Sequence, residues 1–210
     1  MKMSLLIKKP KKPIAFLVWG PPGAGKSTLL GKYPSETIFK NTDDIVQFNC
    51  APQTTDEYFK CRKAKGTQQI DKYLNHLATT QNKNLAIETT GNWYETSWSS
   101  DLVAQGFEKV EVMCVFVNSV DEIWRRIKKR DQLSVNYRSL LKTYSNSYYT
   151  NMEKLLNDPN ISNVTVYDNS EELKLLVSKN GHSNGKVSDE SQKYREWFQS
   201  QSINKLILLK

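Results

Sequence analysis

The chain has 210 residues, 38% of them hydrophobic and 25% charged, enough apolar side chains for one sizeable core, so wholesale disorder is excluded. Length predicts one domain with room for an appendage, and no apolar window approaches the ~18 residues of a membrane span. Thirty basic residues against 22 acidic ones give a net charge of +8, which fits a polyanionic ligand such as a nucleotide or nucleic acid and says nothing about fold.

Residues 1–13 read as an exposed basic arm bounded by proline. Within it, Leu5-Leu6-Ile7 is followed by Lys8 and Lys9 and is too short for a signal-peptide core, so a cytoplasmic location is expected. Ile14-Ala15-Phe16-Leu17-Val18-Trp19 is an unbroken apolar run, the habit of a central parallel strand buried on both faces. A helical stretch carrying Leu29 and Leu30 ends at Gly31 and Pro34, and residues 37–40 form a second strand. Residues 43–49 make a helical turn or two. Residues 54–81 are polar and helix-compatible, with Thr54 or Thr55 as cap and Tyr58, Cys61, Ile70, Leu74 and Leu77 facing inward.

Leu85-Ala86-Ile87 is a third strand, running into Glu88. A helix over 94–105 ends at Gly106. Residues 110–117 are a strong fourth strand, 120–130 a basic helix, and 137–156 a further helix with Leu140, Leu141, Tyr144, Tyr148, Met152 and Leu155 at near-helical spacing. A fifth strand covers 164–167 and a closing helix 171–178. Residues 179–193 are rich in Gly, Ser and Asn and read as a linker, and 194–210 as a docked apolar element. Strand then helix, repeated five times, predicts right-handed crossovers and a parallel α/β sheet covered on both faces, with one domain over 14–178. The cysteines Cys50, Cys61 and Cys114 have no CxxC spacing and are expected to be reduced thiols.

The strongest chemical signal is Gly20-Pro21-Pro22-Gly23-Ala24-Gly25-Lys26-Ser27, a GxxxxGK[ST] motif between a strand and a helix. Glycines let successive backbone N–H groups converge on phosphate oxygens. Lys26 supplies charge to the β- and γ-phosphates, Ser27 a hydroxyl to Mg²⁺, and Thr28 completes the ATP-binding set. Guanine-specific switches need an NKxD reader and a DxxG turn; Asn82-Lys83-Asn84-Leu85 lacks the carboxylate. Phosphoryl transfer instead needs a base by the acceptor hydroxyl and arginines over the transferred group.

Asp43 and Asp44, just after the second strand, supply the base candidate, because strand carboxyl ends face the ligand crevice in such sheets. A purely capping role for Thr42 or Asp43 is the competing reading. Glu88, with Thr89, Thr90 and Asn92, occupies the same place after the third strand and is a substrate-binding candidate. Arg126 and Arg130 lie one helical turn apart and suit the charge of a transferred phosphoryl group; Arg138 reaches toward the same region. The lid is placed at about 125–138. Trp93 is a candidate for stacking on a ring. His76 and His182 have no partners at catalytic or metal spacing, and the tyrosines of 144–149 read as packing.

On these residues the chain resembles the zeta-toxin and polynucleotide 5′-kinase branch of the P-loop kinases, over roughly 14–156. Asn41-Thr42-Asp43-Asp44-Ile45 is similar to the polynucleotide-kinase segment whose first Asp is the catalytic base, which assigns that role to Asp43. The stretch Asp56-Glu57-Tyr58 with Lys60, Arg62, Lys63 and Lys65 resembles the segment that follows. Ile87-Glu88-Thr89-Thr90-Gly91-Asn92 resembles the zeta-type loop in which an acid contacts substrate. Arg126 and Arg130 match the lid arginines of both groups. The resemblance implies an adenylate-kinase-like core of five parallel strands in the order 2-3-1-4-5, ATP as donor and Mg²⁺ as cofactor.

Three functions follow as expectations. The first is transfer of the ATP γ-phosphoryl group to a hydroxyl acceptor, with a sugar nucleotide as the zeta-type acceptor. The second is a polynucleotide 5′-hydroxyl kinase; it is opposed by Val46, which stands where those kinases carry an arginine that grips the substrate phosphate. The third is a nucleotide-binding interaction module without transfer activity.

Overall fold

The computed structural model describes residues 12–92, 94–129, 136–171 and 173–180. The expected basic arm, the linker beyond Asn180 and the apolar terminal element fall outside them, apart from Lys12 and Pro13. Strand β1 (Ile14–Trp19) is buried almost throughout and pairs in parallel with β3 (Asn84–Thr89) on one side and β4 (Lys109–Phe116) on the other. Strand β2 (Thr37–Lys40) adds beyond β3 and β5 (Ile161–Asp168) beyond β4, both parallel. The order is therefore β2-β3-β1-β4-β5, as expected, and a strand not anticipated, β6 (Lys174–Asn180), closes the sheet.

Strand β6 corrects the closing helix expected over 171–178: it pairs antiparallel with β5. Without it the outer edge of β5 would leave a row of backbone donors and acceptors unpaired. The short apolar run Leu175-Leu176-Val177 suits that role as well as it suits a helix.

Helices cover both faces. After β2 come α1 (Thr42–Cys50), α2 (Thr55–Arg62) and α3 (Lys65–Thr80), which pack on one another, with α3 against β2 and β3. The long helix expected over 54–81 is thus two. Thr54 caps α2 by accepting from the Glu57 amide at 3.2 Å, and α2 ends where buried Thr67 donates to the Cys61 carbonyl at 2.8 Å. The left-handed Ala51 (φ 45°) stops α1 and turns α2 back onto it, and Cys50 and Cys61 are joined in a disulfide with their Cα atoms 6.3 Å apart. This overturns the expectation of reduced thiols at those two positions. No spacing motif announces the pair, which depends on how two helices pack. Cys114 is a buried free thiol, raised in pKa by desolvation.

Helix α4 (Ser97–Ala104) packs on β4, and α5 (Val120–Lys129) follows β4. The helix expected over 137–156 is α6 (Tyr137–Ser145), a π-helical turn (Asn146–Thr150) and α7 (Asn151–Asn157). The wide turn has a specific cause: the fully buried Trp19 indole donates to the Ser147 carbonyl at 2.8 Å, drawing that carbonyl off the helical ladder. Ser147 and Asn151 in turn bond the carbonyls of Thr90 and Gly91, so the turn pins the loop after β3. Tyr144 and Tyr148 are packing residues as expected: both are buried, and their hydroxyls donate to Val117 at 2.5 Å and Val115 at 2.6 Å.

Candidate functional site

The parallel register sets Trp19 beside Thr89 and Cys114, and Lys40 beside Ile87. The carboxyl ends of β1, β2 and β3 therefore open on one crevice. The loop over 20–25 leaves β1 there. Gly23 and Gly25 take φ of 79° and 93°, a left-handed backbone that side chains disfavour. At Gly25 a Cβ would also collide with the Asn169 side-chain amide nitrogen. Asn169, just after β5, donates to the Ala24 carbonyl at 2.8 Å and holds the loop from its far side. The expected helix then begins, as a 3-10 helix over Lys26–Lys32.

Lys26 is buried and curls under the loop, donating to the carbonyls of Gly20 (2.9 Å) and Pro21 (3.2 Å) and pairing with Glu88 Oε1 at 3.4 Å. Glu88 Oε2 accepts from the Asn41 amide at 3.2 Å. Asn41 is the helix cap of α1, its Oδ1 accepting from the Asp43 amide at 2.8 Å. That settles the capping question: the cap belongs to Asn41, and the Asp43 carboxylate is turned elsewhere. Asp43 lines a cavity of about 450 Å³ and accepts a short hydrogen bond from the Tyr58 hydroxyl. Burial, together with that bond, pushes the Tyr58 phenol up to about 12.

The cavity also takes in Glu88 and Thr89 from the carboxyl end of β3 and Thr90 just after it. Asp44 is exposed in the first turn of α1 and is not among its lining residues. Asn92 is exposed and bonded to the Asn146 amide at 2.9 Å through its own Oδ1, which fixes the loop. Ser27 and Thr28 are exposed on the 3-10 helix, Thr28 donating to the Gly25 carbonyl at 2.5 Å. Among the described residues no cluster of three metal-ligating side chains occurs. Mg²⁺ held on a nucleotide keeps waters and needs few protein ligands, so the exposed Ser27 hydroxyl beside the loop fits it.

Arg126 is committed to structure. Its Nε donates to Glu122 Oε1 at 2.8 Å, and an Nη donates to the carbonyls of Asn169 (2.7 Å) and Ser170 (3.0 Å). It therefore braces the segment that holds the glycine loop. The Arg125 and Arg126 guanidiniums beside Glu122 hold its carboxyl down at about 2. Arg138 is exposed in the first turn of α6. Arg130, Trp93 and the centre of the expected lid lie outside the described residues.

Sequence reasoning missed much of the cavity wall. Lys40, at the end of β2, is buried and pairs with Asp71 at 3.0 Å and the Asn75 amide oxygen at 2.8 Å. Asn75 donates to Gln105 Oε1 at 3.0 Å, linking α3 to the end of α4. Trp98, Asp101 and Arg62 complete the surround. Asn169 was findable, since it lies at the carboxyl end of a strand, as Glu88 does, and Asp43 stands a few residues beyond one. The α3 and α4 residues carried no such mark.

No family model matches the sequence, and a search of curated proteins returns no match. Solved structures are similar in fold. A chain of the PezAT chromosomal toxin–antitoxin system of Streptococcus pneumoniae aligns with a TM-score of 0.63 at 16% identity, over 94% of this chain and 87% of that one. A chain of the AvrRxo1-ORF1:ORF2 complex solved with ATP aligns at 0.64 and 14% identity, over 91% of this chain and 64% of that one. This chain thus spans a little under two thirds of its length. A chain of the Pnkp1/Rnl/Hen1 RNA repair complex aligns at 0.51 and 17% identity, over 71% of this chain and 49% of that one. At such identities it is architecture that is shared: the chain has the fold of these three chains.

Proposed function

We propose that the chain transfers the γ-phosphoryl group of ATP to a hydroxyl of a small molecule held beside Asp43. One observation carries the reading. Lys26 of the glycine loop pairs with Glu88, Glu88 with Asn41, and Asn41 caps the turn bearing Asp43. Through Glu88, Lys26 of the donor loop is thus linked to the wall of the cavity that the base candidate Asp43 lines. Asp43 accepts the acceptor's proton and holds its oxygen in line. Lys26 leaves Glu88 for the phosphates, and Glu88 is then available to orient the acceptor. Mg²⁺, when bound, neutralises charge on the phosphates, and Ser27 is the residue to hold it. Arg126 steadies the donor loop from behind, which leaves Arg130 and Arg138 as the arginines to meet charge on the transferred group.

A polynucleotide 5′-kinase is the second reading, favoured by the net charge of +8 and the Pnkp1 likeness. Val46 weighs against it: it is fully buried in α1 and offers nothing to a substrate phosphate. The test is incubation with γ-labelled ATP, Mg²⁺ and parallel pools of phosphate-free hydroxyl compounds, UDP-sugars and 5′-hydroxyl oligonucleotides. Label on a small molecule supports the first reading. Label on oligonucleotides, falling steeply with salt, supports the second. ATP binding with no transfer to any pool, unchanged in Asp43→Asn, would leave only a nucleotide-binding module.

A further inference from the structure

The cavity beside Asp43 has a charge balance opposite to that of the whole chain. Four carboxylates line it, Asp43, Asp71, Glu88 and Asp101, against two cations, Lys40 and Arg62. Lys40 is only 6% exposed and already holds Asp71 and Asn75. Arg62 is exposed, at the end of α2. A phosphate or diphosphate on the acceptor requires forked guanidinium donors or a cationic nest. Here it would meet carboxylates, with the ATP phosphates adding further negative charge nearby.

The remaining lining has a different complementarity. Carboxylates and amide oxygens accept from hydroxyls, and Asp101, Gln105 and Asn75 bring such acceptors from two helices into one wall. Trp98 and Leu102, on the same face of α4 as Asp101, together with Leu17 and Ile87 from the strands, add apolar lining beside them. Apolar contact for C–H faces beside acceptors for a ring of hydroxyls suits a saturated polyol. The volume, about 450 Å³, lies toward the lower end of the range of small-molecule pockets, roughly 300–1,000 Å³. The geometry points to a compact, phosphate-free polyol, a free sugar or amino sugar, as the acceptor class.

This assignment rests on the phosphotransferase reading. In the step, the acceptor oxygen forms a bond to the γ-phosphorus as its proton passes to Asp43. The bond from the γ-phosphorus to the β–γ bridging oxygen breaks, and ADP leaves with that electron pair. An ammonium group on the acceptor gains further from the excess of carboxylates.

The experiment supplies the full chain with γ-labelled ATP and Mg²⁺ and, in parallel, glucose, galactose, mannose, myo-inositol, glucosamine and galactosamine. UDP-N-acetylglucosamine and a 5′-hydroxyl hexanucleotide serve as the phosphate-bearing comparisons. ATP binding is measured separately, with Lys26→Ala as its control. The expected result is label on at least one phosphate-free polyol, with kcat/KM about tenfold or more above either phosphate-bearing probe. Asp101→Asn should then raise KM for that polyol about tenfold and leave ATP binding unchanged. Preferential labelling of a phosphate-bearing probe overturns the assignment, and so does bound ATP with every phosphate-free polyol unlabelled. An Asp101→Asn variant with unaltered KM also overturns it. Loss of ATP binding in the parental chain would instead sink the phosphotransferase reading itself.

Discussion

The Tyr58 hydroxyl donates a hydrogen bond to Oδ1 of Asp43, tying α2 to the first turn of α1 across a gap of fifteen positions in sequence. A carboxylate at the start of a helix has several rotamers, and a bond from a neighbouring helix selects one. Tyr58→Phe removes that bond and keeps the ring. It should lower kcat about tenfold, the worth of a hydrogen bond to a charged group, with KM for ATP unchanged in steady-state kinetics. An unaltered kcat would mean that Asp43 is oriented without Tyr58.

Asp43 itself should matter more. Asp43→Ala is expected to lower kcat by roughly 10²–10⁴ with ATP binding intact, the range of a general base. Equilibrium binding of a labelled ATP analogue, measured beside turnover, separates the two effects. Parental turnover in the variant would remove Asp43 from the chemistry.

On the far side of the loop, Asn169 holds the Ala24 carbonyl and is itself gripped by Arg126 through its own carbonyl. Asn169→Ala should loosen the loop and raise KM for ATP by about tenfold, the scale of one lost buried hydrogen bond. KM for the acceptor should be little changed. The opposite pattern would place Asn169 in the acceptor site.

Gly91 combines φ of 68° with a site where a Cβ would sit 2.5 Å from the Trp19 indole. That ring is buried and bonded to Ser147, so it has little freedom to move. Gly91→Ala should cost about 1–3 kcal/mol through strain and overpacking, read as a lower urea midpoint. A variant as stable as the parent would show that the loop after β3 adjusts freely.

Glu122 gives a pH signature. Its carboxyl is held at about 2, below the ordinary 4.5, by hydrogen bonds from Arg125 and Arg126. A depressed folded-state pKa stabilises the fold fully above the unfolded value and loses that contribution as pH falls through the folded one. The stability gap between the parent and Glu122→Gln should therefore be constant above about pH 5 and narrow from pH 4.5 toward 2. Urea melts at pH 7, 4 and 3 measure it, and a gap unchanged at pH 3 would show that the carboxylate gains nothing from its arginines.

Much of this architecture is legible in the residues because a central parallel strand must be apolar on both faces. The runs at 14–19 and 110–117 admit few alternatives, and glycines cannot be exchanged where a loop turns left-handed, so β1, β4 and the phosphate loop between β1 and its helix announce themselves. Asp43 and Glu88 are visible for a related reason: each lies at or just beyond the carboxyl end of a strand that opens on the crevice. Residues 171–178 read as a closing helix in sequence because Leu175-Leu176-Val177 is too short a run to have a period, and only the open edge of β5 decides in favour of a strand.

What the chain by itself determined is the glycine-rich loop and the parallel frame that presents it, since both follow from local backbone freedom and from hydrophobic pattern. The cavity wall was decided by tertiary structure alone. Lys40, Asp71, Asn75, Trp98 and Asp101 come from three different elements, and polar groups on separate elements acquire a common purpose only once packing faces them into the same space. The Cys50–Cys61 bridge has the same origin, because eleven residues of sequence separation become a covalent contact only after α2 folds back along α1.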